Sequence, residues 1–495
     1  MSLDPRTPVL VGVGVADQRC DDPTEALEPC ALMVAALEAA AEDAGCRGLL
    51  AGASSIRVPR GFWEYSDPGR LIAERIGAAA ARSVFAEIGV LQQTLLNDAC
   101  RAVAAGEEEI ALVTGGDAKY RTLRAKITGV EVSDTPQEDA RPDVKLEPAE
   151  ALWADVEWDR GLMMPAHFFS VMESALRMGE GLGLDAHRDR IASLWAGMSE
   201  IAAGNPHAWH RAPVAAEAIR NPSADNPMVA FPYTKMHNSD WNVDQAAGLI
   251  LCSLAKARSC GVPEDRWVFP LSGTESNHML PLAARAKMHR CPGVAIAGER
   301  ALALAGRGVE EIAHVDLYSC FPAPVQVVAR ELGLGFDRPL TVTGGMRFAG
   351  GPLNNYVLQA TARMAEVLRD DPGSTGLVTS LSGILTKQGF GVWSSEPPAR
   401  AFGYADLTEA VARSTETRSL VSDYEGPATV AGYTVIYIGP DPVKGIAVCD
   451  LPNGARTVAS SEDRALASAM TAKELCGREV VVGGGGALLA APRYD

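Results

Sequence analysis

Apolar and polar positions along this chain fall into a short set of repeating patterns. Pro8 to Val15 (PVLVGVGV) is a β-rich apolar run, and an Ala/Leu-rich stretch from Pro29 to Ala44 follows it after a polar loop. The opening therefore reads as strand, loop, helix. From Leu91 to Ala105 the apolar residues Leu95, Leu96, Ala99, Ala102 and Val103 share one helical face, Gly106 stops the helix, and Ile110 to Gly116 supplies a strand. The same order returns late in the chain, with a helix opening at Leu353 to Val357 and running through Arg369, then a strand from Gly376 to Gly383. Leu112-Val-Thr114 and Leu377-Val-Thr379 are near copies, and Arg70 to Gly77 resembles Gln326 to Gly333. Two such pairs in the same order predict one α/β unit used twice, with parallel strands and crossover helices.

The stretch from Asp117 to Asn238 interrupts the pattern. It is charged and irregular at first, predicts a helix over His187 to Ala203, and ends in Pro- and Asn-rich turns. An insertion of that length is expected to carry a binding surface. After Ser394 the pattern changes again, with strands at Thr434–Ile438 and Gly445–Cys449, an Asn453-Gly454 turn, a helix near Ser461 to Leu475 and a strand at Val480–Val482. This tail reads as a small separate α+β module, with Gly483–Gly486 as a loose end. Gly12 and Gly14 suggest a dinucleotide loop, but the third glycine is absent and Asp21-Asp22-Pro23 stands where a helix should begin.

Composition narrows the function. The chain has 495 residues, 47% hydrophobic and 22% charged, which is a globular balance with room for about three folding units. A formal net charge of −17 argues against a nucleic-acid partner or a basic membrane footprint, while leaving room for a local basic pocket. No apolar run approaches the ~18 residues of a membrane span. Met1 to Thr7 includes Asp4 and Arg6 and lacks a signal-peptide core, so a cytoplasmic location is expected. The ten cysteines form no CxxC pair and the eight histidines no HExxH, so no metal site or metal cofactor is expected.

The order of elements resembles the thiolase superfamily over roughly residues 8 to 415. The most specific piece is Gly344 to Pro352 (GGMRFAGGP), similar to the family's stretch ending in Gly-His-Pro. Asn238-Ser239 and Val243 to Ala247 are similar to its Asn-Ala-Ser and Asp-Gly-Ala-Ala segments, and Thr114-Gly-Gly116 to the strand end after the nucleophile helix. Tyr318 to Phe321 falls on the Asn-Glu-Ala-Phe or His-Asp-Cys-Phe block. With its extra tail, the chain most resembles the thiolase-like proteins of type 1. The resemblance implies a five-layered α/β/α/β/α sandwich: residues 1–250 as the first half, including a loop domain at 117–238, residues 251–415 as the second half, and residues 416–495 as an additional C-terminal α+β domain.

The family's catalytic groups do not carry over. Counting back 17 residues from Gly106 places Gly89 at the nucleophilic cysteine. Cys100 lies some three turns into the helix, beyond the terminal field that would favour a thiolate, and reads as core. Gly351 stands at the Gly-His-Pro histidine, Ser380 or Leu381 at the second cysteine, and Tyr318 and Ser319 at the Asn and Glu. Cys320, with Tyr318 and His278 as partners, and Ser380 are the candidates for a relocated nucleophile. Lys235, His237, Asn238, Ser239, Trp241, Tyr318, Phe321 and Gly351 are candidates to line a substrate or coenzyme A site. Lys235, Arg347 and Lys387 could offer a cation to a phosphate or carboxylate, and Trp241 reads equally as tunnel wall or core anchor.

What the resemblance implies is an acetyl-CoA acetyltransferase-like protein of lipid metabolism that binds coenzyme A or acyl-CoA as ligand or substrate, with weak or no thiolase activity. The alternatives are an active acyltransferase or thioester hydrolase using Cys320 or Ser380, and a non-catalytic protein that recruits a partner through its C-terminal domain. Monomer and homodimer both remain open.

Overall fold

The computed structural model describes residues 3–138 and 140–489. The first sheet is built from β1 (Pro8–Asp17), β2 (Ser55–Pro59), β3 (Arg82–Ala86), β4 (Ile110–Ala118) and β5 (Val144–Leu146). β6 (Met228–Ala230) and β7 (Tyr233–Thr234) lie in the insertion, and β8 (Asp244–Ser253) returns to complete the sheet in the order β1-β8-β4-β2-β3-β5. β4 and β8 are buried at every position, which is why they read as continuous apolar runs rather than as alternation.

The second sheet contains β9 (Phe269–Ser276), β10 (His314–Asp316), β11 (Thr375–Ser382), β12 (Lys387–Ser394) and β13 (Gly403–Asp406), ordered β10-β11-β12-β9-β13. β12 runs antiparallel to β9 and β11, and β10 parallel to β11. β8 has the same relation to β1 and β4, and β2 to β4, so the second sheet repeats the first. The copied Leu-Val-Thr segments sit in the equivalent strands β4 and β11, and the paired helices Pro68–Ile76 and Pro322–Leu332 both end on a left-handed glycine, Gly77 and Gly333. The helices Gln92–Ala105 and Tyr356–Asp370 fill the layer between the sheets, and the other helices of each half cover the outer faces. This is the expected five-layered, duplicated fold.

Gly12 and Gly14 lie within β1 and serve packing, not phosphate binding. A Cβ on Gly12 would stand 2.1 Å from the carbonyl oxygen of Ala40, and one on Gly14 2.3 Å from that of Ala36. The helix Pro29–Asp43 thus rests directly on the strand backbone, with alanines facing glycines.

The tail is not separate. β14 (Gly426–Ile438), β15 (Asp441–Asp450), β16 (Arg456–Ser461), β17 (Glu479–Gly483) and β18 (Ala487–Leu488) form a third sheet that includes β6 and β7 of the insertion, ordered β15-β16-β18-β17-β14-β6-β7. Ile436 of β14 pairs with Ala230 of β6. The helix Pro165–Gly179, which the sequence reading lacked, packs on β14, with the Tyr433 amide donating to Ser174 Oγ at 2.8 Å and Arg177 paired to Glu474 at 2.7 Å. The glycine run is not a loose end either: Gly484–Gly486 forms a short 3-10 turn into β18, which pairs with β17 and β16. Partners more than 200 residues apart in sequence leave no local signal of this docking. No helix among the described residues is long and apolar enough to cross a membrane.

Gly12→Val should force the Pro29–Asp43 helix off its sheet and lower stability by about 3 kcal/mol, read from the urea unfolding midpoint. An unchanged midpoint would mean that the contact is not stabilising.

Candidate functional site

Asp316, at the end of β10, fixes the floor of the region where the thiolase resemblance places its chemistry. Its Oδ2 accepts from Thr341 Oγ1 at 2.8 Å and from the amides of Val342 and Thr343 at 3.0 and 3.1 Å, while Oδ1 accepts from the Tyr356 hydroxyl at 2.9 Å. One carboxylate therefore ties the strand end to the loop before Gly344 and to the start of the Tyr356–Asp370 helix. Burial raises its pKa despite those donors.

From this floor the chain continues through Tyr318 to Phe321. The Tyr318 amide donates to Thr379 Oγ1 of β11 at 2.8 Å, and its ring meets Tyr356 edge-on at 5.7 Å. Ser319 Oγ accepts the Met346 amide at 3.0 Å, and the Cys320 carbonyl accepts the Ser239 amide at 3.1 Å. The Asp240 carbonyl accepts the Gly351 amide at 2.8 Å, so these hydrogen bonds bring Ser239, Cys320, Met346 and Gly351 together.

At Gly351 and Gly89, where the resemblance places the base and the nucleophile, the space is occupied. A Cβ on Gly351 would lie 3.2 Å from Ser239 Cβ and 3.3 Å from Met346 Cε, so the place of a histidine is filled by its neighbours. Gly89 has φ +100°, and a Cβ there would stand 3.1 Å from Pro148 Cβ and Cγ, with Leu152 Cδ2 at 3.9 Å. The segment after β5 thus covers the nucleophile position. Lys387, 2% exposed, reaches the same point and donates from Nζ to the Gly89 carbonyl at 3.1 Å. Burial lowers its pKa, against the opposing charge of Glu150. It is a buried interior cation, not one held out to a ligand phosphate.

The remaining candidates scatter. Cys320 is 8% exposed, burial raises its thiol pKa, and no hydrogen bond joins it to a base among the described residues. His278 lies on a different cavity, with Arg285 and Lys287. Ser380 Oγ is buried with no hydrogen-bond partner among the described residues, so no base there activates it. Cys100 is core, its pKa raised by burial. His237 is buried beside Tyr233, Nδ1 within 2.9 Å of Thr234 Oγ1, and burial lowers its pKa to about 3. Asn238 Nδ2 donates to the Thr234 carbonyl at 2.7 Å, and Phe321 stacks on Phe169 at 4.8 Å. Lys235 is exposed. Trp241 is 40% exposed and meets Phe62 edge-on at 5.6 Å, so it is no core anchor. Arg347 is not free: Asp240 Oδ2 holds it at 3.3 Å and His210 Nε2 at 2.8 Å. Burial raises the Asp240 pKa, but His210 and Arg347 outweigh it and keep the carboxylate ionised.

The sequence reading missed Asp117 and Pro148. Asp117 is next to last in β4, and its Oδ1 accepts the Phe62 amide at 3.0 Å. Burial pushes its pKa up to about 7, against hydrogen bonds from the Phe62 and Leu353 amides. The Asp directly after Gly115-Gly116 was its only sequence signal. Pro148 had none.

The family model for the thiolase-like protein type 1 additional C-terminal domain matches residues 406–487. A monomeric SCP2-thiolase-like protein type 1 from Mycobacterium smegmatis superposes with TM-score 0.82 at 28% identity, covering 99% of this chain and 100% of its own. The chain has the thiolase fold with the additional domain of the type 1 thiolase-like proteins. Two more distant thiolase folds cover the chain less fully. Acetyl-CoA acetyltransferase from Syntrophomonas wolfei covers 79% of this chain and 99% of its own, at 18% identity and TM-score 0.55. Human mitochondrial 3-ketoacyl-CoA thiolase, solved in complex with CoA, covers 79% and 98%, at 15% identity and TM-score 0.57. No curated protein matches the sequence.

The Asp117 carboxyl holds its proton in the folded chain to about pH 7 but releases it near 4 when unfolded. The native state then binds more protons, so this group's stabilising contribution is full below pH 4 and is lost as pH rises towards 7. Asp117→Asn should remove that loss. Its stability relative to wild type should climb between pH 4 and 7 and level off above, in urea unfolding across that range. A pH-independent difference would contradict the assignment.

Proposed function

We propose that this chain uses the thiolase fold to bind coenzyme A or an acyl-CoA, in lipid metabolism, without carrying out the thiolase Claisen reaction. The observation that carries the reading is the state of the nucleophile position. Gly89 supplies no thiol, Pro148 covers the place a side chain would take, and Lys387 is lodged against its carbonyl. A thiolase acylates a cysteine held at a helix N-terminus and deprotonated by a histidine. Here Gly351 lacks the base, and Met346 and Ser239 fill its space.

CoA as ligand is supported by the fold and by the human neighbour that holds it, an argument from analogy. The unactivated surroundings of Cys320 and Ser380 disfavour a relocated nucleophile. Recruitment of a partner by the C-terminal domain finds less support, because that domain shares its sheet with the insertion.

Incubation with acetyl-CoA and with a longer acyl-CoA, followed by intact-protein mass, should give no adduct, while calorimetry on the same preparation detects CoA. An acyl group mapped to Cys320 or Ser380, and lost on Cys320→Ala or Ser380→Ala, would replace this reading by an enzyme with a moved nucleophile. Absence of any CoA binding would remove the ligand assignment.

A further inference from the structure

A cavity of about 230 Å³ opens where the second half meets the C-terminal domain, and its wall is basic. Arg285 lines it and is 4% exposed. Its Nε and Nη2 donate to the Leu280 carbonyl at 3.3 and 3.2 Å, and Nη2 also to the Gly383 carbonyl at 3.2 Å. Among the described residues no carboxylate lies within ion-pair distance of it, and Nη1 has no hydrogen-bond acceptor. Burial lowers its pKa to about 10, against the charges of Cys291 and Glu157, so the guanidinium is charged at neutral pH.

Further positive potential converges there. Lys287 lines the cavity, is exposed, and forms no ion pair among the described residues. Arg290 is neutralised by Glu331 through contacts of 2.6 and 2.9 Å. The helix Pro292–Ala305 opens into the cavity through Cys291, Pro292 and Gly293, with no acidic residue in its first turn. Against these stand Glu416 on the exposed rim, Glu157, whose charge acts on Arg285, and Glu150, whose charge acts on His278. His278 Nε2 is buried without a hydrogen-bond partner.

The C-terminal extension helps build this wall. The Ala286 amide donates to the Glu416 carbonyl at 3.1 Å, the Arg418 amide to Ala284 at 2.8 Å, and Arg456 Nη1 to the Ala283 carbonyl at 3.2 Å. With the backbone around Arg285 held from the far side, its guanidinium is left facing the cavity.

We propose that this cavity is a binding site for the phosphate group of a small phosphorylated ligand, apart from the Gly89–Gly351 centre. Two cations without ion-pair partners and a helix N-terminus match a phosphate dianion better than a single carboxylate charge. The phosphate could be free, or be carried by a larger molecule such as a nucleotide-containing cofactor.

Calorimetry of the full chain with inorganic phosphate should show saturable binding at one site per chain, with sodium acetate at least tenfold weaker. Lys287→Glu, on an exposed side chain where folding is not at risk, should weaken phosphate binding at least tenfold. Arg285→Gln should abolish it, with circular dichroism confirming the fold. Coenzyme A added to the phosphate-saturated protein separates the sources: displacement assigns the phosphate to CoA, and no displacement assigns it to another phosphorylated molecule. No saturable phosphate binding, acetate binding equally well, or binding unchanged by Lys287→Glu would overturn the site. None of these readings depends on whether CoA binds at the central site.

Discussion

The helices Gln92–Ala105 and Tyr356–Asp370 run between two sheets with their first turns buried, so the unpaired amides there must be satisfied by protein rather than by water. They satisfy part of this demand from one another. Gln92 Oε1, in the first turn of one, accepts the Val357 amide in the first turn of the other at 2.8 Å. Tyr356, beside it, anchors to Asp316 on the second sheet. Both sheets, the loop before Gly344 and the segment through Tyr318 are positioned relative to this central pair. A charge or cavity introduced there would be felt on both sides, because a layer packed at crystal-like density has little room to adjust.

The same central pair frames the positions at which the resemblance places the thiolase nucleophile and base. In the thiolases the start of the central helix is where a thiolate is stabilised; here the same point holds a glycine, a covering proline and a buried lysine. An ammonium at a helix N-terminus meets the positive end of the dipole, the reverse of what a thiolate needs. Lys387 is held there by the Gly89 carbonyl and by its place at the start of β12. The turn before it carries Ile384 and Leu385 at φ +53° and +67°, restrained through the Leu385 carbonyl by Gln388 Nε2 at 2.9 Å and Cys291 Sγ at 3.1 Å. Backbone strain of this kind persists only where the surroundings over-determine it.

The C-terminal domain extends the same logic outward. Its long strand β14 docks on the Pro165–Gly179 helix and continues through β6, so the insertion and the extension stabilise each other. Its Arg456 and the preceding strand segment brace the backbone around Arg285. The basic cavity therefore belongs to neither half of the duplicated fold alone.

By itself the sequence determined the duplicated α/β architecture and the order of its repeated strands and helices, and the resemblance set Gly89 and Gly351 against the thiolase cysteine and histidine. Periodicity, glycine stops and repeated segments such as Leu112–Thr114 and Leu377–Thr379 are local signals, and a missing cysteine or histidine is visible once the register is set. What only the tertiary structure decided was which side chains fill the vacated positions and which charges remain unpaired. Pro148, Lys387 and Arg285 each act on a group brought close by topology, and a linear pattern carries no record of that proximity. The same reason explains why Arg347 was read as a free cation and why Trp241 stayed open between tunnel wall and core anchor: the ion pair with Asp240 and the exposed contact with Phe62 arise only when distant loops meet.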